Sequence, residues 1–215
     1  MGRPPNADAK ATWRTIRNAG IKLLSEHGFE AMNLRQLAAA SGLKTGSLYN
    51  YFESKSQFLS MIMCEIIETI LEDFEQSVDP IQDPVERLRR FIEFHIGWHT
   101  VRRAETFIGF MEMRNLSEED YRKYTALRQR YEDYVTDILV RGVEAGHFEI
   151  ADARVTTFVL LGMLTATSNW YKPGGRLNQR QLVALHTELV FKMLGFTGSN
   201  EPASKPASSR SRKKR

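Results

Sequence analysis

Apolar residues recur at helical spacing along most of the chain. One apolar stripe predicts a helix over residues 8–27, for which Gly28 is a natural stop, and Ser54 can cap a long helix that ends near Asp79. The sequence has neither sustained apolar–polar alternation nor the Asn-Gly and Asp-Gly turns that are typical of hairpins. The pattern therefore predicts an all-α protein.

Two short helices are predicted between these long ones. Asn33 can cap a helix over residues 34–40, which Ser41-Gly42 ends, and residues 45–51 can form a second helix. After Pro84 the periodicity predicts further helices that are long enough to build a bundle. They cover residues 84–100, 102–115, 118–144, 152–171 and about 178–194.

These elements predict three regions. Residues 1–53 form a three-helix head, and residues 54–196 form a larger helical-bundle body for ligand binding and dimerisation. Residues 197–215 are rich in serine and basic residues and contain no large apolar residue, so they cannot build a packed core. We expect a disordered basic tail that binds DNA nonspecifically or only solubilises the chain.

Composition and charge indicate which kinds of protein this chain can be. Hydrophobic residues make up 42% of the chain and charged residues 26%, as in ordinary globular proteins, and the single cysteine, Cys64, excludes an internal disulfide. Neither a membrane-spanning run nor a secretory signal is present, so we expect a cytoplasmic, nucleoid-associated protein with no membrane partner. Residues 1–60 hold eight basic and four acidic residues, whereas residues 61–196 hold 16 and 21. The basic head suits a polyanion partner, although drift can produce the same asymmetry.

The most informative segment is residues 33–55, which reads as a helix-turn-helix. Gly42 supplies the turn, and Leu43 and Leu48 can pack the second helix onto the first. In that motif the second helix lies in the major groove with its first residues toward the bases. Those residues are small, polar or cationic here, and Gly46 removes a side chain where the helix would press on the DNA backbone. The segment therefore predicts binding to double-stranded DNA.

The same segment resembles the TetR family of bacterial transcription regulators. Its Leu-Tyr-x-Tyr-Phe-x-Ser-Lys run, residues 48–55, matches fully, while Asn33 replaces the usual Thr and Asn50 stands at a variable position. The resemblance implies an operator-binding homodimer and phosphate contacts from Tyr49 and Lys55. Arg3, Lys10 and Arg14 are either further DNA contacts or solvated charges. The expected DNA-binding residues are Asn33, Arg35, Lys44, Thr45, Gly46, Ser47, Tyr49, Asn50 and Lys55.

The body is rich in aromatic residues and methionines. Most of them are expected to pack in the core, and some to line an apolar cavity between helices. His95 and His99 have the i, i+4 spacing of metal ligands, but without a third ligand we expect polar or structural histidines and no metal or cofactor. The expected effector-binding residues are His95, Trp98, His99, Arg103, Phe107, Phe110, Met111, Tyr134 and Trp170.

A second resemblance concerns the effector. The segments 112–116, 142–148 and 169–177 are similar to TetR-type regulators of fatty-acid, branched-chain and sterol catabolism, several of which sense acyl-CoA thioesters. The resemblance implies a repressor that a lipophilic effector, such as an acyl-CoA, releases from DNA. Arg102, Arg103, Lys172 and Arg176 then either bind CoA phosphates or are solvated. The alternative effector is a free hydrophobic compound, with the protein controlling a drug-efflux gene.

Two further expectations concern catalysis and assembly. The sequence shows no catalytic constellation, so we expect no enzyme; an architectural DNA-binding protein without effector is the remaining alternative. The last two helices carry more apolar residues than one core-facing stripe needs, which predicts a homodimer through them. Those residues are Val155, Phe158, Val159, Leu160, Leu185, Leu189 and Met193.

Overall fold

The computed structural model describes residues 5–196 and Gly198 of the 215-residue chain. These residues form α-helices and one short 3-10 helix (Met113–Asn115), with no strand among them, which confirms the predicted all-α class. The head contains α1 (Pro5–Ala31), α2 (Leu34–Ala40) and α3 (Thr45–Leu48). The body contains α4 (Lys55–Ser77), α5 (Pro84–Val101), α6 (Arg103–Met111), α7 (Glu118–Glu144), α8 (Ala153–Thr165), α9 (Thr167–Trp170) and α10 (Gln179–Met193).

Local capping explains the boundaries of the short head helices. Asn33 caps α2, since its side chain accepts from the backbone N–H of Gln36 at 3.0 Å while the Gln36 side chain accepts from the N–H of Asn33. At the other end Leu43 N donates to Ala38 O at 2.9 Å, and Gly42 adopts φ +68°. This Schellman turn sets the direction of α3.

Two predicted helices differ from the observed ones. Gly28 adopts φ 76° and ψ 167° and breaks α1 as expected, but a helical turn resumes after it and reaches Ala31. The predicted helix over residues 45–51 ends at Leu48, because Tyr49 to Tyr51 form turns instead. The remaining boundaries lie within a few residues of those predicted, and the segment 152–171 is divided into α8 and α9.

One hydrophobic core runs from the head into the body. In the head, Phe58 on α4 is fully buried, and its ring lies 4.9 Å from that of Phe52 and 6.1 Å from that of Trp13. Further along α4, Phe74 packs against the rings of Phe91 and Tyr131 in the body. Because α4 contributes to both ends of this core, the packing is continuous from the head to the body.

A helix that spans a bilayer needs about 20 predominantly apolar residues. Within the described residues, no helix combines enough length with enough apolar character to cross a membrane.

Candidate nucleic-acid interface and ligand cavity

The second helix of the helix-turn-helix presents a polar outer face. Leu48 is fully buried and anchors α3 to the head, whereas the Tyr49 ring that follows it is 55% exposed. Gly46 is exposed, and a Cβ placed on it would meet no atom within 4 Å. Lys44 and Asn50 are also exposed, and Thr45 and Ser47 are partly exposed. These side chains form one accessible surface, and their contact with DNA stays a prediction.

Two predicted DNA-binding residues, Asn33 and Lys55, have side-chain contacts within the protein. The Asn33 side chain caps α2, which gives it a structural role in setting the helix direction. The Lys55 ammonium donates to Glu30 O at 3.2 Å and lies 4.3 Å from the centroid of the Phe29 ring. Arg35 is exposed on α2. Of the additional basic residues, Lys10 and Arg14 are exposed on α1, and Arg3 lies outside the described residues.

The body contains an apolar cavity of about 210 Å³ that lies between α4, α5, α6, α7 and α8. Phe110 and Phe158 line it and are 54% and 49% exposed, so the cavity reaches the surface between them. The other lining residues are Ile66, Ile67, Ile70, His95, Trp98, His99, Glu105, Thr106, Gly109, Tyr124, Arg128, Tyr131, Glu132, Leu161, Gly162 and Thr165.

His95 is a fully partnered residue of the cavity wall. Its Nδ1 lies 2.9 Å from the Tyr131 hydroxyl, and its Nε2 lies 2.8 Å from the Thr165 hydroxyl. Burial, and to a smaller extent the neighbouring His99, holds the pKa of His95 well below its ordinary value. The ring is therefore neutral at physiological pH.

His99 is buried on the same face of α5, one turn after His95. The two ring centroids are 4.2 Å apart, and Nδ1 of His99 lies 2.9 Å from the Thr106 hydroxyl. Burial lowers the pKa of His99 to about 3, so this ring is neutral as well. Within the described residues, no cluster of three or more His, Cys, Asp or Glu side chains is arranged to hold a metal ion.

Of the nine predicted effector-binding residues, His95, Trp98, His99 and Phe110 line the cavity. Tyr134 does not, because its ring stacks on Phe74 at 4.9 Å and its hydroxyl donates to Glu75. The others are exposed side chains that do not line the cavity. These are Arg103, Phe107, Met111 and Trp170.

Several lining residues were missed from the sequence. Tyr124, Arg128, Tyr131 and Glu132 come from one face of α7, at positions i, i+4, i+7 and i+8. This helical spacing indicates that the four residues share one face of α7. The charges of Arg128 and Glu132 are typical of a solvent-exposed face, however, so the sequence pattern does not identify it as a cavity wall. On α6, Glu105 and Thr106 contribute polar groups in the same way.

Arg128 differs from the other cations near the cavity. Its Nη1 donates to Sδ of Met113 at 3.0 Å and its guanidinium lies 5.6 Å from the Phe110 ring centroid, but no carboxylate of the described chain pairs with it. Arg102, by contrast, pairs with Glu105 at 3.4 Å. Lys172 and Arg176 are exposed in the loop before α10 and do not line the cavity.

Charged contacts connect the cavity wall to the head. Arg17 on α1 pairs with Glu65 on α4 at 3.1 Å and with the cavity-lining Glu105 on α6 at 3.4 Å. Glu112 follows the last residue of α6 and is buried, and its carboxylate accepts a hydrogen bond from the backbone N–H of Phe29 at 3.1 Å. Thus α6 and the residue that follows it contact both the cavity and the head, and Glu105 takes part in both contacts.

The exposed apolar surface of α8 and α10 agrees with the sequence pattern except at Leu160. Leu160 is fully buried in the protomer core, because it is turned by about 100° around the helix axis from Val159. Val155 and Val159 are 57% and 51% exposed. On α10, Leu185, Leu189 and Met193 are exposed. The two helices therefore present an unpartnered apolar face.

Family models match both parts of the chain. The model described as bacterial regulatory proteins of the tetR family matches residues 16–62, which include the helix-turn-helix. The model described as the tetracyclin repressor-like C-terminal domain matches residues 82–194, more than half of the chain.

Individual relatives have related names. The chain is 25% identical over 170 residues to the HTH-type transcriptional repressor KstR2 of Mycolicibacterium smegmatis, covering 78% of this chain and 83% of that protein. It is 22% identical to the fatty acid metabolism regulator protein of Bacillus subtilis, covering 71% and 79%.

Solved structures are similar over nearly their whole length. A bacterial regulatory protein of the tetR family from Rhodococcus RHA1 matches with a TM-score of 0.81 at 24% identity, covering 87% of this chain and 98% of that chain. AibR, solved in complex with isovaleryl coenzyme A and operator DNA, matches with a TM-score of 0.73 at 25% identity, covering 84% and 98%.

Proposed function

The chain belongs to the TetR family of bacterial transcriptional regulators, and we propose that it is a cytoplasmic repressor whose DNA binding is controlled by a ligand in the cavity of the body. In this proposal residues 1–53 bind the operator and residues 54–196 bind the effector and a second copy of the chain. The contacts of α6 carry the proposal, since they join the cavity to the head through Glu105 and Arg17. A ligand that displaces α6 changes those contacts and with them the placement of α3.

The effector that suits this cavity has an apolar chain and an anionic group. Aliphatic and aromatic side chains dominate the walls, whereas Arg128 is a cation with no carboxylate partner among the described residues. An acyl-CoA has both features. The names of KstR2 and the Bacillus fatty acid regulator, and the isovaleryl coenzyme A bound to AibR, support this choice. We therefore propose Arg128, rather than Lys172 or Arg176, as the cation that meets the acidic part of the effector.

The experiment that tests this proposal measures release of DNA. An operator is first selected from a random duplex library, and its affinity is then measured by fluorescence anisotropy with isovaleryl-CoA, palmitoyl-CoA, free CoA or palmitate added. We expect an acyl-CoA to weaken operator binding at least tenfold, and Arg128→Met to need about tenfold more of it.

Arg122→Met is the matched control, because Arg122 lies on the same helix and is 68% exposed, paired with Glu118. Release by palmitate but not by either acyl-CoA would favour the free hydrophobic effector. Absence of release by any compound, together with no small molecule in mass spectra of the purified protein, would favour the architectural alternative.

The apolar face of α8 and α10 supports a homodimer. Burying Val155, Val159 and Leu189 against a second copy removes from water side chains that are about half exposed in the protomer. Leu189→Arg places a charge in that face, and we expect sedimentation to show a monomer at micromolar concentration with operator affinity reduced at least 100-fold. An unchanged dimer would exclude this face.

A further inference from the structure

The polar groups of the cavity wall are almost all bonded to one another. His95 is bonded through both ring nitrogens, the Tyr124 hydroxyl donates to Gly109 O at 3.1 Å, and Glu105 is paired with two arginines. Nε2 of His99, by contrast, has no hydrogen-bond partner among the described residues. His99 is 9% exposed and lines the cavity, so a ligand bound there can supply the missing partner.

The proton of the His99 ring can be assigned from its neighbour Thr106. The Thr106 hydroxyl lies 3.1 Å from the carbonyl oxygen of Arg102, which can only accept. The single hydroxyl proton is directed there, since two oxygens at this distance repel each other without a proton between them. The Thr106 oxygen therefore accepts from Nδ1 of His99, 2.9 Å away. The proton of the neutral ring is thus on Nδ1.

An Nδ1–H tautomer leaves a bare lone pair on Nε2. Burial lowers the pKa of His99 to about 3, so this nitrogen does not gain a proton from water at physiological pH. The surrounding wall is aromatic, with His95 at 4.2 Å and Trp98 at 5.1 Å between ring centroids. An acceptor among apolar walls binds a donor more strongly than it does in water, because the local dielectric is lower.

We propose that the cavity selects ligands that carry an O–H or N–H donor within their apolar part, and that this donor binds Nε2 of His99. The inference rests on the proposed function only in placing a ligand in this cavity. A hydroxylated acyl chain, a ring hydroxyl or an amide N–H meets the requirement. A saturated hydrocarbon, an ether or an unprotonated carboxylate does not, since each leaves Nε2 unpaired or repelled.

Calorimetric titration of the full-length protein with 4-butylphenol and 4-butylanisole tests the proposal. The two probes differ in O–H against O–CH3. We expect the phenol to bind about tenfold more tightly, as for a hydrogen bond to an otherwise unpaired buried group. In His99→Leu this ratio should fall to about one, whereas His147→Leu, at an exposed histidine, should keep it. An unchanged ratio in His99→Leu, or no binding of either probe to the wild-type protein, would overturn the proposal.

A second measurement does not depend on the variant folding. Nitrogen-15 spectra of the imidazoles in the wild-type protein should show Nδ1 of His99 protonated and Nε2 bare, with the Nε2 resonance moving when 4-butylphenol is added. A proton on Nε2 in the free protein would overturn the assignment. Loss of phenol selectivity while acyl-CoA still releases DNA would count against this inference alone. A phenol-selective cavity in a protein that no effector releases from DNA would count against the proposed function alone.

Discussion

The DNA-facing surface of the head and the cavity of the body are built in opposite ways. The head exposes polar side chains on a four-residue helix, and its backbone is positioned by a capping box at Asn33 and a Schellman turn at Gly42. The cavity encloses polar groups such as His95 and His99 in apolar walls that come from five helices. The first surface depends on neighbours in sequence, and the second depends on residues far apart in sequence.

This difference affects how each surface responds to change. A substitution on the outer face of α3 alters binding while leaving the fold intact, because Lys44, Gly46 and Asn50 contact little else. A substitution in the cavity alters ligand binding and stability together, because most polar groups there are hydrogen-bonded or ion-paired to neighbouring side chains. The four predictions below test this difference in order of expected effect.

The contrast between the DNA-facing surface and the cavity should not hold inside the head, where α1 packs against α4. A substitution there should lower the stability of the protein. A Cβ at Gly20 would lie 2.2 Å from Cζ of the fully buried Phe58, so Gly20→Ala should lower the free energy of unfolding by about 2–3 kcal/mol. Gly46→Ala is the matched control and should leave stability equal or higher while weakening DNA binding. Urea unfolding measures both. Wild-type stability in Gly20→Ala would contradict the close packing of α1 on α4.

Acid should reveal the buried histidines of the body. The unfolded chain binds a proton at His99 below about pH 6.5, whereas the folded protein does so only near pH 3, so stability falls as the pH falls between these values. At pH 5 this single residue lowers the free energy of unfolding by about 2 kcal/mol relative to pH 7, and His95 acts in the same direction.

Urea unfolding at pH 7 and pH 5 checks this effect. His99→Leu should lose about 2 kcal/mol of the pH dependence, and His147→Leu, at an exposed position, should not. The carboxylates of Glu105 and Glu132, which also line the cavity, are present in all three proteins. Equal pH dependence in the wild type and His99→Leu would show that His99 is protonated or solvated in the folded state.

Removing the ion pair between Arg17 and Glu105 should uncouple DNA binding by the head from ligand binding in the cavity. In Arg17→Met the Glu105 carboxylate keeps Arg102 as a partner, so we expect operator affinity without ligand to stay within about threefold. The loss of affinity on adding the effector should be about tenfold smaller, a typical coupling for linked sites. Arg130→Met, which removes an ion pair to Glu75 within the body, is the control. Full release of DNA by the effector in Arg17→Met would mean that the coupling takes another route.

The smallest effects concern two lysines of the head. Lys55→Ala should weaken binding to all DNA a few-fold and lower the salt dependence by about one counterion, as expected for a phosphate contact. Lys44→Ala should instead alter sequence preference, because it lies at the start of α3. Binding at several salt concentrations to specific and random duplexes distinguishes the two. A change of sequence preference alone in Lys55→Ala would make its assignment wrong, and its contact with Glu30 would then be structural.

The sequence by itself determined the helices and the helix-turn-helix. Caps at Asn33 and Ser54, the turn at Gly42 and the apolar stripes act over a few residues, so the printed order of residues carries the information. It also indicated that His95, Trp98 and His99 share one face of α5, since a helix repeats every 3.6 residues. The disordered basic tail stays a prediction outside the described residues.

Only the tertiary structure decided which of those faces meet. Tyr131 and Tyr134 are three residues apart on α7 and both pack against Phe74, yet Tyr131 lines the cavity whereas the Tyr134 hydroxyl donates to Glu75. Arg128 is not among the residues that the sequence predicts to bind the effector, yet it lines the cavity, and Leu160, predicted to lie on the dimer face, is buried in the core of the protomer. Spacing fixes which residues share a face of one helix, but the partner of that face depends on how distant helices pack, and long-range packing is not encoded in any short segment.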